Sequence, residues 1–96
     1  MVIIVKKCWP EYFDMFCSGE RTFELRLADF NLKTGDILVF EEFDPKTKQY
    51  TGRKAKFSCK KVEHSAQNPL QFYDVDDVKK HGFWIIELEK KVINTF

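Results

Sequence analysis

Residues 10–27 leave this chain few folds to choose from. Pro10 suits the first position of a helix, where its missing N–H costs nothing, and Tyr12, Phe13, Phe16 and Cys17 follow as one apolar stripe at helical spacing. Gly19 is placed to end that helix in a left-handed cap, after about two or three turns. Thr22 to Leu27 then alternates, with Thr22, Glu24 and Arg26 on one side of a strand and Phe23, Leu25 and Leu27 on the other. A hydroxyl, an acid and a guanidinium therefore point the same way where the backbone turns. The expectation is a polar pocket on the exposed face of the strand, with the three apolar residues turned inward.

The flanking segments supply the rest of a small sheet. Val2 to Cys8 is rich in β-branched residues and reads as a strand partly buried on both faces. Ala28 to Gly35 is a loop anchored by Phe30 and Leu32, and Gly35-Asp36 turns the chain into Ile37-Leu38-Val39-Phe40, a strand apolar on both faces. Asp44 through Gly52 reads as a long hairpin loop. From Arg53 onward Ala55, Phe57 and Cys59 alternate inward while Lys54, Lys56, Ser58 and Lys60 alternate outward. Asp74 can cap a short second helix, with Lys79 and Lys80 in its last turn and Gly82 as its stop. Phe83 to Glu89 is a closing strand with Trp84, Ile86 and Leu88 on one face. This order of elements favours an α+β fold built on a closed or half-closed sheet over parallel βαβ units.

The chain has 96 residues with 44% hydrophobic content, which predicts one domain over residues 1–96. No apolar run approaches the roughly 18 residues a spanning helix needs, and Met-Val-Ile-Ile-Val meets Lys6 and Lys7 too soon for a signal peptide. A cytoplasmic protein with no membrane contact is expected. Cys8, Cys17 and Cys59 have no metal-ligand spacing and sit among apolar residues, and His64 lies far from His81, so free thiols and neither metal nor cofactor are expected.

Net charge is only +1, yet it is unevenly spread. Residues 46–61 contain seven basic residues (Lys46, Lys48, Arg53, Lys54, Lys56, Lys60, Lys61) and no acid, which leaves the remainder of the chain six net negative. The domain is electrically two-sided.

Lys7, Pro10-Glu11-Tyr12-Phe13, Ser18-Gly19, Thr22-Phe23-Glu24-x-Arg26, Gly35-Asp36-x-Leu38, Glu42-x-Asp44 and Tyr50-Thr51-Gly52-Arg53 together resemble a small bacterial and phage branch of the ASCH superfamily. The resemblance runs from about Lys7 to Arg53, with support from the strand at Phe83 to Leu88, and omits residues 64–82. It implies a PUA-like mixed barrel of five to six strands, with the N-terminal helix packed beside a cleft and RNA or a nucleotide as ligand. Gly19, Thr22, Glu24 and Arg26 match the family's hallmark segment and would line that cleft with Lys7 and Glu42. One branch of the superfamily removes the acetyl group from N4-acetylcytidine, with a lysine, a threonine and a glutamate as its presumed catalytic groups. Here Arg21 and Glu24 stand where that lysine and threonine would. A guanidinium gives up no proton near neutral pH, and a carboxylate is not the hydroxyl that acyl transfer calls for.

Blander roles compete with each of these. Glu24 and Arg26 could be a surface pair contributing about 0 to 1 kcal/mol. Arg21 reads as a solvated turn residue, and Lys7 as an edge-strand gatekeeper against aggregation. The Lys54, Lys56, Lys60, Lys61 row could be an ordinary solvated strand face or a track for an RNA backbone. Trp9, Phe43 and Tyr50 could stack on bases, with Tyr50 the best placed because it lies in a polar loop, while Trp9 serves equally as a lid on the helix. The expectation is a monomeric module that binds RNA or a modified nucleoside or nucleotide without catalysis. Its cleft comprises Lys7, Gly19, Thr22, Glu24, Arg26 and Glu42, and Tyr50, Arg53, Lys54, Lys56 and Lys60 hold the flanking strand. An amidohydrolase acting on an acylated nucleoside and a module with a protein partner are the alternatives.

Overall fold

The computed structural model describes residues 2–65 and 80–95, with side chains to Glu89. The elements are β1 (Ile3–Cys8), α1 (Pro10–Ser18), β2 (Phe23–Leu27), β3 (Ile37–Asp44), β4 (Gln49–Ser65) and β5 (Phe83–Thr95). The five strands form one sheet in the order β1-β3-β4-β5-β2, parallel between β1 and β3 and antiparallel elsewhere. Over the described residues this is an α+β fold, mostly strand, curled into a half-barrel around α1. The short helix expected from Asp74 lies outside the described residues, apart from helical backbone at Lys80 and His81.

The curl brings the two edge strands towards each other. By the pairing directions β1 and β2 run antiparallel across the open seam, and side chains span it in place of a backbone ladder. Arg26 Nη2 donates to the Lys7 carbonyl at 2.8 Å, and the Lys6 ammonium sits 3.9 Å from the centre of the Phe30 ring. At the far end of β1 a single buried carboxylate fixes the strand. Asp36 accepts the backbone N–H of Val2 at 3.0 Å and of Lys33 at 2.9 Å, so the turn before β3 carries the start of β1.

The core fills the concave side. Phe13 and Phe16 of α1 meet Leu38 and Phe40 of β3, Ala55, Phe57 and Cys59 of β4, and Ile86 and Leu88 of β5, with Cys8 and Leu32 at the margins. Phe16, Phe40 and Phe57 form a ring triangle with centroids 4.9 to 6.0 Å apart, a separation at which tilted aromatic pairs attract. Trp84 packs against this cluster and donates its indole N–H to the Phe30 carbonyl at 2.8 Å.

Two expectations change. β1 is buried on one face only: Ile4 and Cys8 turn to the core, while Ile3 and Val5 are 58% and 52% exposed. An edge strand that pairs with β3 alone has no described element over its outer face. The hairpin loop is also shorter than its polar composition suggests, because β4 begins at Gln49. The turn closes over residues 45–48 with Lys48 in the left-handed region at φ 56°. Among the described residues no helix is long and apolar enough to cross a membrane.

Candidate functional site

Gly19 ends α1 with φ 82°, its N–H on the Phe16 carbonyl at 3.3 Å, and the Arg21 N–H reaches back to the Met15 carbonyl at 3.1 Å. This cap reverses the chain and delivers β2 to the edge of the sheet. The period-two alternation of β2 is present, but its sense is the opposite of the expected one. Glu24 is 7% exposed and Phe23 is 56% exposed. The reason is register: Glu24 pairs with Ile86, which faces the core, whereas Phe23 pairs with Glu87. The polar side of the strand is therefore turned into the mouth of the half-barrel.

The buried Glu24 carboxylate organises that mouth. One oxygen accepts the Leu25 N–H at 2.9 Å and lies 3.7 Å from Arg21 Nη2, and the other accepts Arg26 Nε at 3.1 Å. The two guanidiniums rest on aromatic rings. Arg26 lies 5.6 Å from the Phe40 centroid, and Arg21 lies 5.1 Å from both Tyr12 and Phe16, within the range of cation–π attraction. The Cys8 thiol faces the same group, and burial, with Glu24 adding to it, pushes its pKa up to about 12. It is a neutral thiol, not a nucleophile. Thr22 stands exposed at the rim, its carbonyl holding the Leu88 N–H at 2.8 Å.

A second carboxylate lies on the other side of Cys8, whose register partner is Glu42. Between the pairs Glu41–Lys54 and Phe43–Tyr50, three residues of β4 stand against Glu42 alone. This bulge, with Gly52 at φ 94°, aims both Thr51 and Arg53 at Glu42. The Glu42 carboxylate accepts Thr51 Oγ1 at 2.6 Å and Arg53 Nε at 2.8 Å, while Arg53 Nη2 bonds both Glu42 at 2.5 Å and Asp14 of α1 at 2.8 Å. Hydrogen bonds from Arg53 hold the Glu42 carboxyl below its ordinary pKa, and those from Glu42 raise the already high pKa of Arg53.

On the outer face of the sheet, away from α1, the Lys7 ammonium lies 4.4 Å from the Phe43 ring and 5.8 Å from Tyr50. Phe43 and Tyr50 meet edge to face at 5.1 Å, and Tyr50 is 51% exposed. Lys54, Lys56 and Lys60 are exposed along the same face of β4, in alternation with buried Ala55, Phe57 and Cys59. Elsewhere a depression of about 360 Å³ is lined by residues 28–31, His64, His81 and Trp84, and none of the expected binding residues borders it.

The model of a family described as "Domain of unknown function (DUF3850)" matches residues 5–76, three quarters of the chain. The chain belongs to the DUF3850 family. The solved structure described as "Crystal structure of hypothetical protein PH0355" is similar over 95% of the DUF3850 chain and 100% of its own, at 22% identity and a TM-score of 0.68. That likeness concerns the fold. No curated protein matches the chain.

Within the DUF3850 fold the residues expected to form one cleft divide three ways. Glu24 and Arg26 form the mouth cluster, with Thr22 at its rim and Gly19 as the cap that shapes it. Glu42 belongs to a second cluster, with Arg53, and so Arg53 is separated from the outward lysines with which it was grouped. Lys7 bridges the faces: its carbonyl meets Arg26 in the seam, while its ammonium lies outside with Tyr50. Arg21, read from sequence as a turn residue, belongs to the mouth. The signal was available in its three-residue offset from Glu24 and in the stripe aromatics Tyr12 and Phe16 that precede the reversal.

Proposed function

We propose that this domain is a PUA-like module of the ASCH kind that binds RNA or a modified nucleotide at the mouth formed by Arg21, Thr22, Glu24 and Arg26. The observation that carries this reading is one buried carboxylate holding two arginines side by side on aromatic rings, both partly open to solvent. A guanidinium has five donors, and the bonds named above use only part of each fork. The remaining donors suit phosphate or base carbonyl oxygens, and the preorganised geometry reduces the entropy lost on binding. Glu24 serves to orient the arginines, and the Thr22 hydroxyl is free to fix the ligand's orientation at the rim.

Catalysis ranks below binding. Among the described residues no carboxylate accepts a hydrogen bond from the Thr22 hydroxyl, and the Thr51 hydroxyl, which does donate to Glu42, meets an acid already forked by Arg53 and so made a weaker base. Titration of the labelled protein with 5′-mononucleotides and with N4-acetylcytidine, followed by NMR, tests the reading. Shift changes at residues 21–26 that disappear in Arg21→Ala are expected. No change at those residues at millimolar ligand would rule the mouth out, and deacetylated product would move the domain to the hydrolases.

A further inference from the structure

We propose that the nucleotide at the mouth is taken from within a single strand, whose neighbouring nucleotides cross Lys7 and run along the outer face of β4 over Tyr50, Lys54 and Lys56. This rests on the reading of the mouth given above and adds the ligand's class, an unpaired oligonucleotide in place of a free nucleotide or a duplex. Four observations support it.

Lys7 joins the two surfaces. The same residue supplies the carbonyl that Arg26 grips in the seam and the ammonium beside Phe43 and Tyr50 on the outer face, so a chain leaving the mouth meets that ammonium next.

Tyr50 is held ready. Half of its surface is open, and Phe43 fixes its ring edge to face at 74°. A ring set in this way at a hairpin root can stack on a base whose face is open, which an unpaired base offers and a stacked duplex does not.

Positive charge continues in the same direction. Lys54 and Lys56 stand two residues apart on β4, about 7 Å at strand rise, with Lys60 further along. Lys54 is paired with Glu41 of the neighbouring strand at 3.4 Å, whereas among the described residues Lys56 and Lys60 form no ion pair. An extended strand with one phosphate per nucleotide can place successive charges along such a row.

The surroundings make the path selective. The stretch 46–61 is basic without an acid while the rest of the chain is net negative; with Arg53 turned to Glu42 and Lys54 paired with Glu41, Lys56 and Lys60 supply the exposed charge that attracts a polyanion.

The test is fluorescence anisotropy with a labelled eight-nucleotide RNA of unstructured sequence. Competitors are a 5′-mononucleotide and the same RNA annealed to its complement, at low and physiological salt. The wild-type chain is compared with Tyr50→Ala, Lys56→Ala and Arg21→Ala, all changes at exposed or half-exposed side chains. The octanucleotide is expected to bind at least tenfold tighter than the mononucleotide and to outcompete the duplex. Tyr50→Ala weakens it by about 5- to 100-fold, as loss of one stacked base does, and leaves mononucleotide affinity unchanged. Lys56→Ala lowers the slope of log affinity against log salt by about 0.7. An octanucleotide that binds no better than the mononucleotide, a duplex that competes equally, or a Tyr50→Ala variant of full affinity would overturn the proposal. If Arg21→Ala weakens the mononucleotide while Tyr50→Ala changes nothing, the mouth stands and the outer path falls. If Tyr50→Ala weakens the octanucleotide while Arg21→Ala leaves both ligands unaffected, the path starting at the mouth is wrong and so is the reading of the mouth.

Discussion

Arg53 and Glu42 are joined by a fork of two hydrogen bonds across the β4 bulge, Nε to one carboxylate oxygen and Nη2 to the other, and the same guanidinium reaches Asp14 on α1. One arginine thus ties the helix to the strand pair beneath it. Because Arg53 favours the ionised acid, the carboxyl of Glu42 titrates lower in the folded chain than in the unfolded one. Its contribution to stability is complete above the unfolded value, about 4.3, and is lost as pH falls through the folded one. Asp36 is lowered in the same direction by the N–H groups of Val2 and Lys33. Urea unfolding should therefore be level from about pH 5 to 7 and weaken below about pH 4. Glu42→Gln should cost about 1 to 3 kcal/mol at pH 7 and leave a shallower acid limb, set by Asp36. An acid limb as steep as the wild type's would remove Glu42 from this account.

Arg26 is the bridge of the seam as well as the partner of Glu24. Its truncation to Ala leaves the buried carboxylate with the Leu25 N–H at 2.9 Å and a single cation, Arg21, at 3.7 Å among the described residues, and withdraws the donor from the Lys7 carbonyl. The expected cost is about 1 to 3 kcal/mol in urea unfolding at pH 7. Arg26→Lys should recover little, since one ammonium cannot reproduce a guanidinium held at two points. The double variant Glu24→Gln/Arg26→Ala should lose less than the sum of the single losses, by about 0.5 to 3 kcal/mol. Simple additivity would mean that the pair is not coupled.

Much of this architecture is legible in the residues themselves. Pro10, the Phe13/Phe16 stripe and Gly19 define α1, and the alternation from Arg53 to Lys60 places Ala55, Phe57 and Cys59 inside. Local rules suffice there, because each signal acts within a few residues. The sense of β2 is different. Period two says that Thr22, Glu24 and Arg26 share a side, but only the pairing with β5, sixty residues distant in sequence, decides which side is buried. Hydrophobicity favoured Phe23 inward. The register overrides it because the acid finds two arginines and a backbone N–H at the mouth. The bulge was hidden for a similar reason. Tyr50-Thr51-Gly52 looks like loop chemistry, and its glycine does take a left-handed turn, but within a strand that gathers Thr51 and Arg53 onto Glu42. Lys7 could be recognised as a binding candidate, yet its division between two faces depends on the curl of the whole sheet.

The three thiols should separate by burial. Cys8 and Cys59 are buried, with pKa values pushed up by burial to about 12 and about 11, whereas Cys17 is only half-buried. At pH 8 a maleimide should modify Cys17 first and the other two only when urea opens the fold, because the thiolate is the reacting form. Mass spectrometry of the time course decides the matter. Modification of Cys8 at the rate of Cys17 would show that the mouth opens readily to solvent.

Phe16 connects stability to the site. Its ring meets Phe40 and Phe57 in the core and also carries the Arg21 guanidinium at 5.1 Å. A nine-residue helix is marginal in isolation, so α1 depends on this ring and that of Phe13 to stay docked. Phe16→Ala should cost about 3 to 5 kcal/mol, enough to threaten the fold. Phe16→Leu keeps most of the volume and should cost under about 1.5 kcal/mol. It nonetheless removes the flat surface on which Arg21 rests. Phe16→Leu is therefore expected to unfold at slightly lower urea and to weaken mononucleotide binding severalfold, while Leu38→Ile, a core change in β3 at the register of Ile4 and Phe57, alters stability alone. Equal affinities in the two variants would show that Arg21 needs no aromatic support to hold its place at the mouth.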